Sequence, residues 1–166
     1  MRRCLDILTA TFAVRQLQPW HENIGRRQVK VPRIYLRDSG IRHTLLGLKS
    51  AYGRESHPKV GASWEGFALE NVSRWIGAQP EECYFWRTHT GAELDLLVVR
   101  GPTRLGYGFM RSDAPGVTPS MRSALHDLKL HSPDVVHAGA LTDPLGPKIR
   151  AVALSRLLID LKSGAR

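Results

Sequence analysis

Two carboxylates, Glu93 and Asp95, stand two positions apart in the segment Gly91 to Pro115 and are the clearest candidates for chemistry in this sequence. The segment is typical of two β-strands joined by a Gly-Pro turn. Residues two apart on a strand share one face of a sheet, and carboxylate oxygens are the ligands that Mg²⁺ prefers in proteins. The pair therefore suggests a site of the kind that metal-dependent nucleases use.

A helix predicted over residues 61–76 can bring a third carboxylate to this site. Its core-facing apolar residues recur at helical spacing; they are Trp64, Phe67, Ala68, Val72, Trp75 and Ile76. At about 100° per residue, Glu65 falls at the edge of this stripe and Glu70 falls on the opposite, solvated side. We therefore expect Glu65, and not Glu70, to join a site on the sheet. The alternative for Glu65 is a helix-forming residue on the surface.

The elements that must position these carboxylates form a recognisable order. Strands are predicted over residues 83–88, 93–99 and 105–110, followed by a helix over 118–130 that Thr118 caps and Pro119 opens. Further strands are predicted over 134–139 and 148–154, with a short terminal helix over 155–161. A helix over 41–48, capped by Asp38 or Ser39, precedes them, and residues 48–60 are predicted as a loop.

The first part of the chain predicts a helix and a two-stranded hairpin, which is how a winged-helix domain ends. We therefore expect residues 1–34 to be a remnant of such a domain with its linker, and residues 35–166 to form the main domain. Four cations, Arg26, Arg27, Lys30 and Arg33, would line the hairpin. They either contact phosphate or belong to a solvated surface.

Charge favours a polyanionic partner. The 166 residues carry 24 Lys and Arg against 15 Asp and Glu, a net charge of +9. Clustered cations gain free energy on nucleic acid by releasing counterions, although a basic surface without a ligand is the alternative. Cys4 and Cys83 lack metal-ligand spacing, and no apolar run reaches the roughly 18 residues that span a membrane. We expect a cytoplasmic protein without a cofactor.

The order of elements resembles the core of the PD-(D/E)XK, or restriction-endonuclease-like, superfamily. The segments GASWEGFALENV, YFWRTHTGAELDLLVV and GYGFMRSDAPGVTPSMRSALHDLKL resemble the C-terminal domain of unknown function of many prokaryotic AAA-type ATPases. The resemblance covers residues 1–161 and implies an α/β fold with a mixed sheet of four to five strands flanked by helices. The sequence has no GxxxxGK[ST] loop, so we expect it to lack the ATPase module, which would act in cis or in trans.

The resemblance also implies which residues form the site. In the resembled superfamily, carboxylates hold Mg²⁺, which polarises the scissile phosphate, and a lysine assists. Glu65 matches the helix glutamate and Asp95 the strand aspartate, while Glu93 can help to hold the metal weakly. Gly108 stands where a glutamate is expected and Met110 where the lysine is expected.

Two of the four expected catalytic groups are thus missing, and both losses are chemical. Glycine offers no ligand, and the methionine thioether is too soft for Mg²⁺. Arg111 lies on the other face of the strand from Met110 and is a poor substitute for the lysine, although it can contact nucleic acid.

Three functions stay open on this sequence. The chain is a degenerate nuclease-like domain that binds nucleic acid or a protein without cutting, a weakly active Mg²⁺-dependent nuclease, or a structural domain. A structural domain would dock on an ATPase or on its own copies.

Overall fold

The structure, a computed structural model, describes residues 2–21 and 31–161. It is a mixed α/β fold built on an eight-stranded sheet in the order β2-β1-β3-β4-β5-β6-β8-β7. The strands are β1 (Val14–Pro19), β2 (Arg33–Leu36), β3 (Cys83–Arg87), β4 (Glu93–Arg100), β5 (Thr103–Met110), β6 (Asp134–His137), β7 (Asp143–Pro144) and β8 (Arg150–Ala153). The helices are α1 (Arg2–Ala10), α2 (Ser39–Leu45), α3 (Ala51–Ser56), α4 (Val60–Trp75), α5 (Pro119–Asp127) and α6 (Leu157–Asp160). Within these residues no helix is long and apolar enough to cross a membrane.

The centre of the sheet has the predicted order. Strands β3, β4 and β5 form an antiparallel meander, and β6 and β8 then add in parallel, each beside the previous strand. Helix α4 covers one sheet face and α5 the other, so the core divides into two apolar clusters. From Leu96 to Val99, successive side chains of β4 alternate between these clusters because side chains alternate along a strand.

The predicted number of strands, four to five, is too small. The sheet has eight strands because β1 pairs with β3 and carries β2 at the edge, while the two-residue β7 closes the other edge beside β8. The sheet is therefore continuous across residues 34 and 35. Leu17 and Tyr35, on the two hairpin strands, are buried in the same cluster as α4. A domain boundary between these residues stays a prediction.

The helix boundaries follow the capping signals. Asp38 accepts a hydrogen bond from the Ile41 amide at the start of α2, and Thr118 accepts one from the Met121 amide at the start of α5. The prediction of a loop over residues 48–60 is wrong, because this segment contains α3. There the Ser50 hydroxyl accepts a hydrogen bond from the Gly53 amide and so caps the start of α3. The helix forms although Gly53 lies within it.

The position of helix α4 in the chain was predicted correctly, but the burial of two of its residues was not. Glu70, expected in solvent, is only 3% exposed, whereas Phe67, expected in the core, is 47% exposed. The Glu70 carboxylate accepts hydrogen bonds from Arg15 Nε at 2.5 Å and from Arg37 Nε at 3.2 Å. Both arginines come from the β1–β2 hairpin and its C-terminal end, so this edge of the sheet covers the side of α4 that the sequence pattern assigned to solvent.

Replacing Glu70 by glutamine should lower the free energy of unfolding by about 3 kcal/mol, because it leaves the buried Arg15 without a counterion. Equilibrium denaturation with urea measures the change. The matched control is Glu55→Gln, which breaks the ion pair of the exposed Glu55 with Arg111 and should cost less than about 1 kcal/mol. Equal losses in the two variants would contradict the structural role assigned to Glu70.

Candidate functional site

An irregularity in β4 sets the direction of the candidate carboxylates. Leu94 pairs with Trp86 and Leu97 with Tyr84, so β4 uses three steps where β3 uses two and carries one extra residue. Leu94 and Leu97 accordingly both pack in the α5-side cluster, while Leu96 packs on the α4 side. Such a bulge re-aims side chains, and here it leaves Asp95 on the α4 side of the sheet, together with Leu96.

The structure places Glu93, Asp95 and Glu65 around one guanidinium, that of Arg33. Arg33 Nη2 donates to Glu93 Oε2 at 2.6 Å, and Nη1 donates to Asp95 Oδ1 at 3.2 Å. Glu65 Oε1 lies 4.0 Å from Nη1. The guanidinium carbon lies 4.8 Å from the centre of the Phe85 ring, which supports it from one side.

Glu65 is also fixed by a neutral partner. The Tyr35 hydroxyl donates to Glu65 Oε1 at 2.5 Å. Burial and the adjacent Glu65 charge raise the pKa of Tyr35 far above its ordinary value, so the tyrosine keeps its proton and remains a donor. The Glu65 side chain is only 28% exposed; its place is at the sheet and not at the surface.

Asp95 is the most enclosed of the three carboxylates. Burial, followed by the charge of Glu65, raises the pKa of Asp95 from 3.8 to about 6. Two groups oppose this shift: the Phe109 amide, which donates to Asp95 Oδ2 at 3.0 Å, and Arg33. The carboxyl therefore titrates at a pH at which an exposed aspartate is fully ionised.

The space next to Gly108 shows what a side chain at this position would meet. A Cβ added at Gly108 would lie 4.0 Å from Asp95 Oδ2 and 3.2 Å from Met121 Sδ. A glutamate there would start beside the aspartate and would press on the Met121 thioether of α5. Met110 instead packs against the α5-side apolar cluster. Neither residue offers an oxygen ligand or a positive charge.

The residues present do not fit a divalent metal. Among residues 2–21 and 31–161, no three His, Cys, Asp or Glu side chains are grouped so that they could hold a metal ion. Mg²⁺ requires close octahedral oxygen ligands at about 2.0–2.1 Å. In this cluster, N–H groups of Arg33 use one oxygen of Glu93 and one of Asp95. The Tyr35 hydroxyl uses one oxygen of Glu65, and the Phe109 amide uses the second oxygen of Asp95.

The structure describes one of the four predicted nucleic-acid contacts. Arg111 forms an ion pair with Glu55 of α3, and Arg26, Arg27 and Lys30 lie outside the described residues. Arg33, which sequence reasoning grouped with those hairpin cations, instead turns inward to the carboxylates. The position of Arg33 at the start of an apolar strand was the available signal that its side chain turns inward. The pairing of β1 with β3, which brings Arg33 to the site, could not be predicted from residue spacing.

The fold and this cluster define a class: a mixed α/β domain with a carboxylate site on a β-meander, here closed by an arginine. The profile of the family described as domain of unknown function DUF4143 matches residues 60–157. Since this match covers more than half of the chain, the protein belongs to that family. A second domain of unknown function, DUF8612, matches residues 1–52.

Two curated relatives are similar over almost the whole chain. They are "Uncharacterized protein Rv2008c" of Mycobacterium tuberculosis and "Uncharacterized protein Mb2031c" of Mycobacterium bovis, each 44% identical over 157 residues. The alignments cover 95% of this chain but 35% of each relative. The chain thus spans about a third of the length of these relatives. No solved structure matches it.

The raised pKa of Asp95 predicts a pH-dependent stability. Between about pH 4 and pH 6 the folded protein holds a proton on Asp95 that the unfolded chain releases, so the free energy of unfolding falls as pH rises through this range. Asp95→Asn should remove a fall on the order of 2 kcal/mol. Urea denaturation at pH 4 to 8 measures it, with Asp143→Asn, on the exposed β7, as the matched control. Parallel profiles for Asp95→Asn and the unmodified protein would contradict the assignment.

Proposed function

We propose that this protein is a non-catalytic domain of the restriction-endonuclease-like fold that binds nucleic acid without cutting it. One observation carries the proposal: Gly108 stands where the resembled motif has the second metal-binding carboxylate, and the group that borders its missing side chain is the Met121 thioether, which is a poor ligand for Mg²⁺. The meander followed by a helix and a parallel strand supports the fold assignment.

The chemistry of phosphodiester hydrolysis gives the reason why the domain would not cut. Hydrolysis of this kind needs a metal ion to generate hydroxide and to offset the charge that develops on the phosphate. The cluster has three carboxylates, but Arg33 engages them, and Met110 cannot stabilise a developing negative charge. Both the water activation and the charge stabilisation would therefore be missing.

Nucleic acid is the proposed ligand because of where the charges lie. Several carboxylates form ion pairs within the fold, such as Glu70 with Arg15 and Asp134 with Arg150. Exposed cations remain on several elements; they include Arg3, Lys49, Lys59, Arg74, Arg122, Lys129 and Lys148. An excess of +9 on such a surface favours a polyanion. In a longer protein of this family, an AAA-type ATPase would be the proposed neighbour, in cis or in trans.

The protein should not cleave DNA or RNA in the presence of Mg²⁺ or Mn²⁺. Gel analysis of plasmid, duplex and single-stranded substrates tests this, with the double variant Gly108→Glu/Met110→Lys as the matched gain-of-function control. Calorimetry should detect Mg²⁺ binding to the double variant more readily than to the unmodified protein, because the new carboxylate would start beside Asp95. Cleavage by the unmodified protein that disappears in Asp95→Asn would contradict a non-catalytic role.

Binding to DNA should weaken steeply with salt. If about three phosphates are contacted, the slope of log K against log salt is roughly −2.7 for duplex DNA. Fluorescence anisotropy measures this slope. The triple variant Arg26→Gln/Arg27→Gln/Lys30→Gln should make this slope less steep. The triple variant Arg122→Gln/Lys129→Gln/Lys148→Gln removes the same charge and tests a different set of cations. A titration that is flat in salt would count against nucleic acid.

A second candidate function, docking of a protein partner, is favoured by one groove. This groove, of about 570 Å³, is lined by residues from the turn after α1, from the start of α2 and from α4. Phe12 and Phe67 stand at it 70% and 47% exposed, and the cations Arg37 and Arg74 are balanced by Asp38 and Glu70. Apolar groups with balanced charge suit a protein better than a phosphate backbone.

Replacing Phe67 by serine separates these two functions. If the groove docks a protein, Phe67→Ser should reduce association in sedimentation or pull-down measurements with that protein and leave DNA affinity unchanged. The matched control is Leu158→Ser, because Leu158 of α6 is also well exposed but lies outside the groove. A loss of DNA affinity in Phe67→Ser alone would instead assign the groove to nucleic acid.

A further inference from the structure

The site holds a cation of its own. The side chain of Arg33 is 23% exposed, and those of Asp95 and Glu65 are 19% and 28% exposed. The third carboxylate, that of Glu93, is 41% exposed. Ionised carboxylates that meet at a partly buried place repel one another, and a positive charge between them offsets this repulsion. Arg33 supplies this charge with two hydrogen bonds and one longer contact, at 2.6 Å, 3.2 Å and 4.0 Å.

We propose that the guanidinium of Arg33 replaces the divalent metal of the resembled nucleases as a covalently tethered cation, so that the cluster is a metal-independent clasp joining β2, β4 and α4. This inference rests on the proposed function, since a site that retained metal chemistry would need the same carboxylates free. It assigns a structural role to a cluster that spacing alone would assign to catalysis.

The geometry suits a guanidinium and not a metal. A guanidinium is planar and has N–H donors on both terminal nitrogens, so it can serve two carboxylates at once and stack on a ring. Arg33 does both. Its two Nη atoms donate hydrogen bonds to different carboxylates, and its guanidinium carbon lies 4.8 Å from the centre of the Phe85 ring. An aromatic face offers nothing to Mg²⁺, which demands oxygen ligands.

The neighbouring hydrogen bonds arrange the carboxylates for this partner. Tyr35, two residues after Arg33 on β2, donates to Glu65, and the Phe109 amide donates to the other oxygen of Asp95. Each of these two carboxylates is thus held by a neutral donor on one oxygen. The Arg33 contacts to Glu93 and Asp95 close loops of 60 and 62 residues, so the clasp ties the edge hairpin to the middle of the sheet.

The test compares thermal unfolding of the full chain with and without divalent cations. The midpoint Tm of the unmodified protein should be the same in EDTA and in millimolar Mg²⁺ or Mn²⁺. Arg33→Met should lower Tm by about 5 °C or more, and Arg33→Lys should recover part of the loss because it restores the charge. The matched control is Arg87→Met: Arg87 also faces Glu93, at 3.8 Å, but is 49% exposed, so its removal should lower Tm by much less.

If Arg33→Met does not fold, the variant Glu93→Gln provides the test instead. It removes the shortest Arg33 contact from a side chain that is 41% exposed, and it should lower Tm while leaving the protein folded. Binding of Mg²⁺ to the unmodified protein in calorimetry, a rise in its Tm with Mg²⁺, or a Tm for Arg33→Met equal to that of Arg87→Met would overturn the clasp. These results are distinct from a failure of the proposed function, which DNA cleavage by the unmodified protein, or DNA binding that does not change with salt, would show.

Discussion

Three carboxylates that meet at one place repel one another, and the arrangement of this domain depends on the positive charge that offsets the repulsion. Glu65, Glu93 and Asp95 come from a helix and from a strand, and the cation comes from a third element, the edge strand β2. An effective dielectric constant well below that of water makes such repulsion large at partly buried sites. Arg33 lies among the acids and offsets this repulsion where all three are ionised.

The same division of charge recurs on α4. The β1–β2 hairpin and the turn that follows it carry Arg15, Arg33 and Arg37, whereas the carboxylates that these arginines meet belong to α4 and β4. Desolvation offsets much of the attraction within a buried ion pair, so such pairs add little net stability, but removal of one partner leaves a costly buried charge. The pairs accordingly specify where the hairpin docks more than they strengthen the fold.

Much of the fold was predictable because it depends on local patterns. The amphipathic period gave α4, the Thr118 cap with Pro119 gave α5, and alternation with turn residues gave the meander β3 to β5. The misassigned residues of α4 depend on contacts that are distant in sequence. Glu70 is buried by Arg15, which lies 55 positions away, and the helical wheel has no information about such a partner. Phe67 is exposed for the converse reason: the sheet meets α4 from a direction that the stripe of apolar residues does not fix.

The candidate site shows the same limit in a sharper form. Spacing placed Glu93 and Asp95 on one face, and helical geometry selected Glu65 over Glu70, yet the decisive residue was assigned to the surface. An arginine on an edge strand of a basic protein is ordinarily expected to be a solvated cation. Its pairing with Glu93 and Asp95 requires β1 to lie parallel to β3, and no local signal in the sequence encodes that register. A carboxylate pattern alone therefore indicates where a cation is needed. Which cation meets this need depends on contacts between residues that are distant in sequence, and here Arg33 lies within 4.0 Å of all three acids.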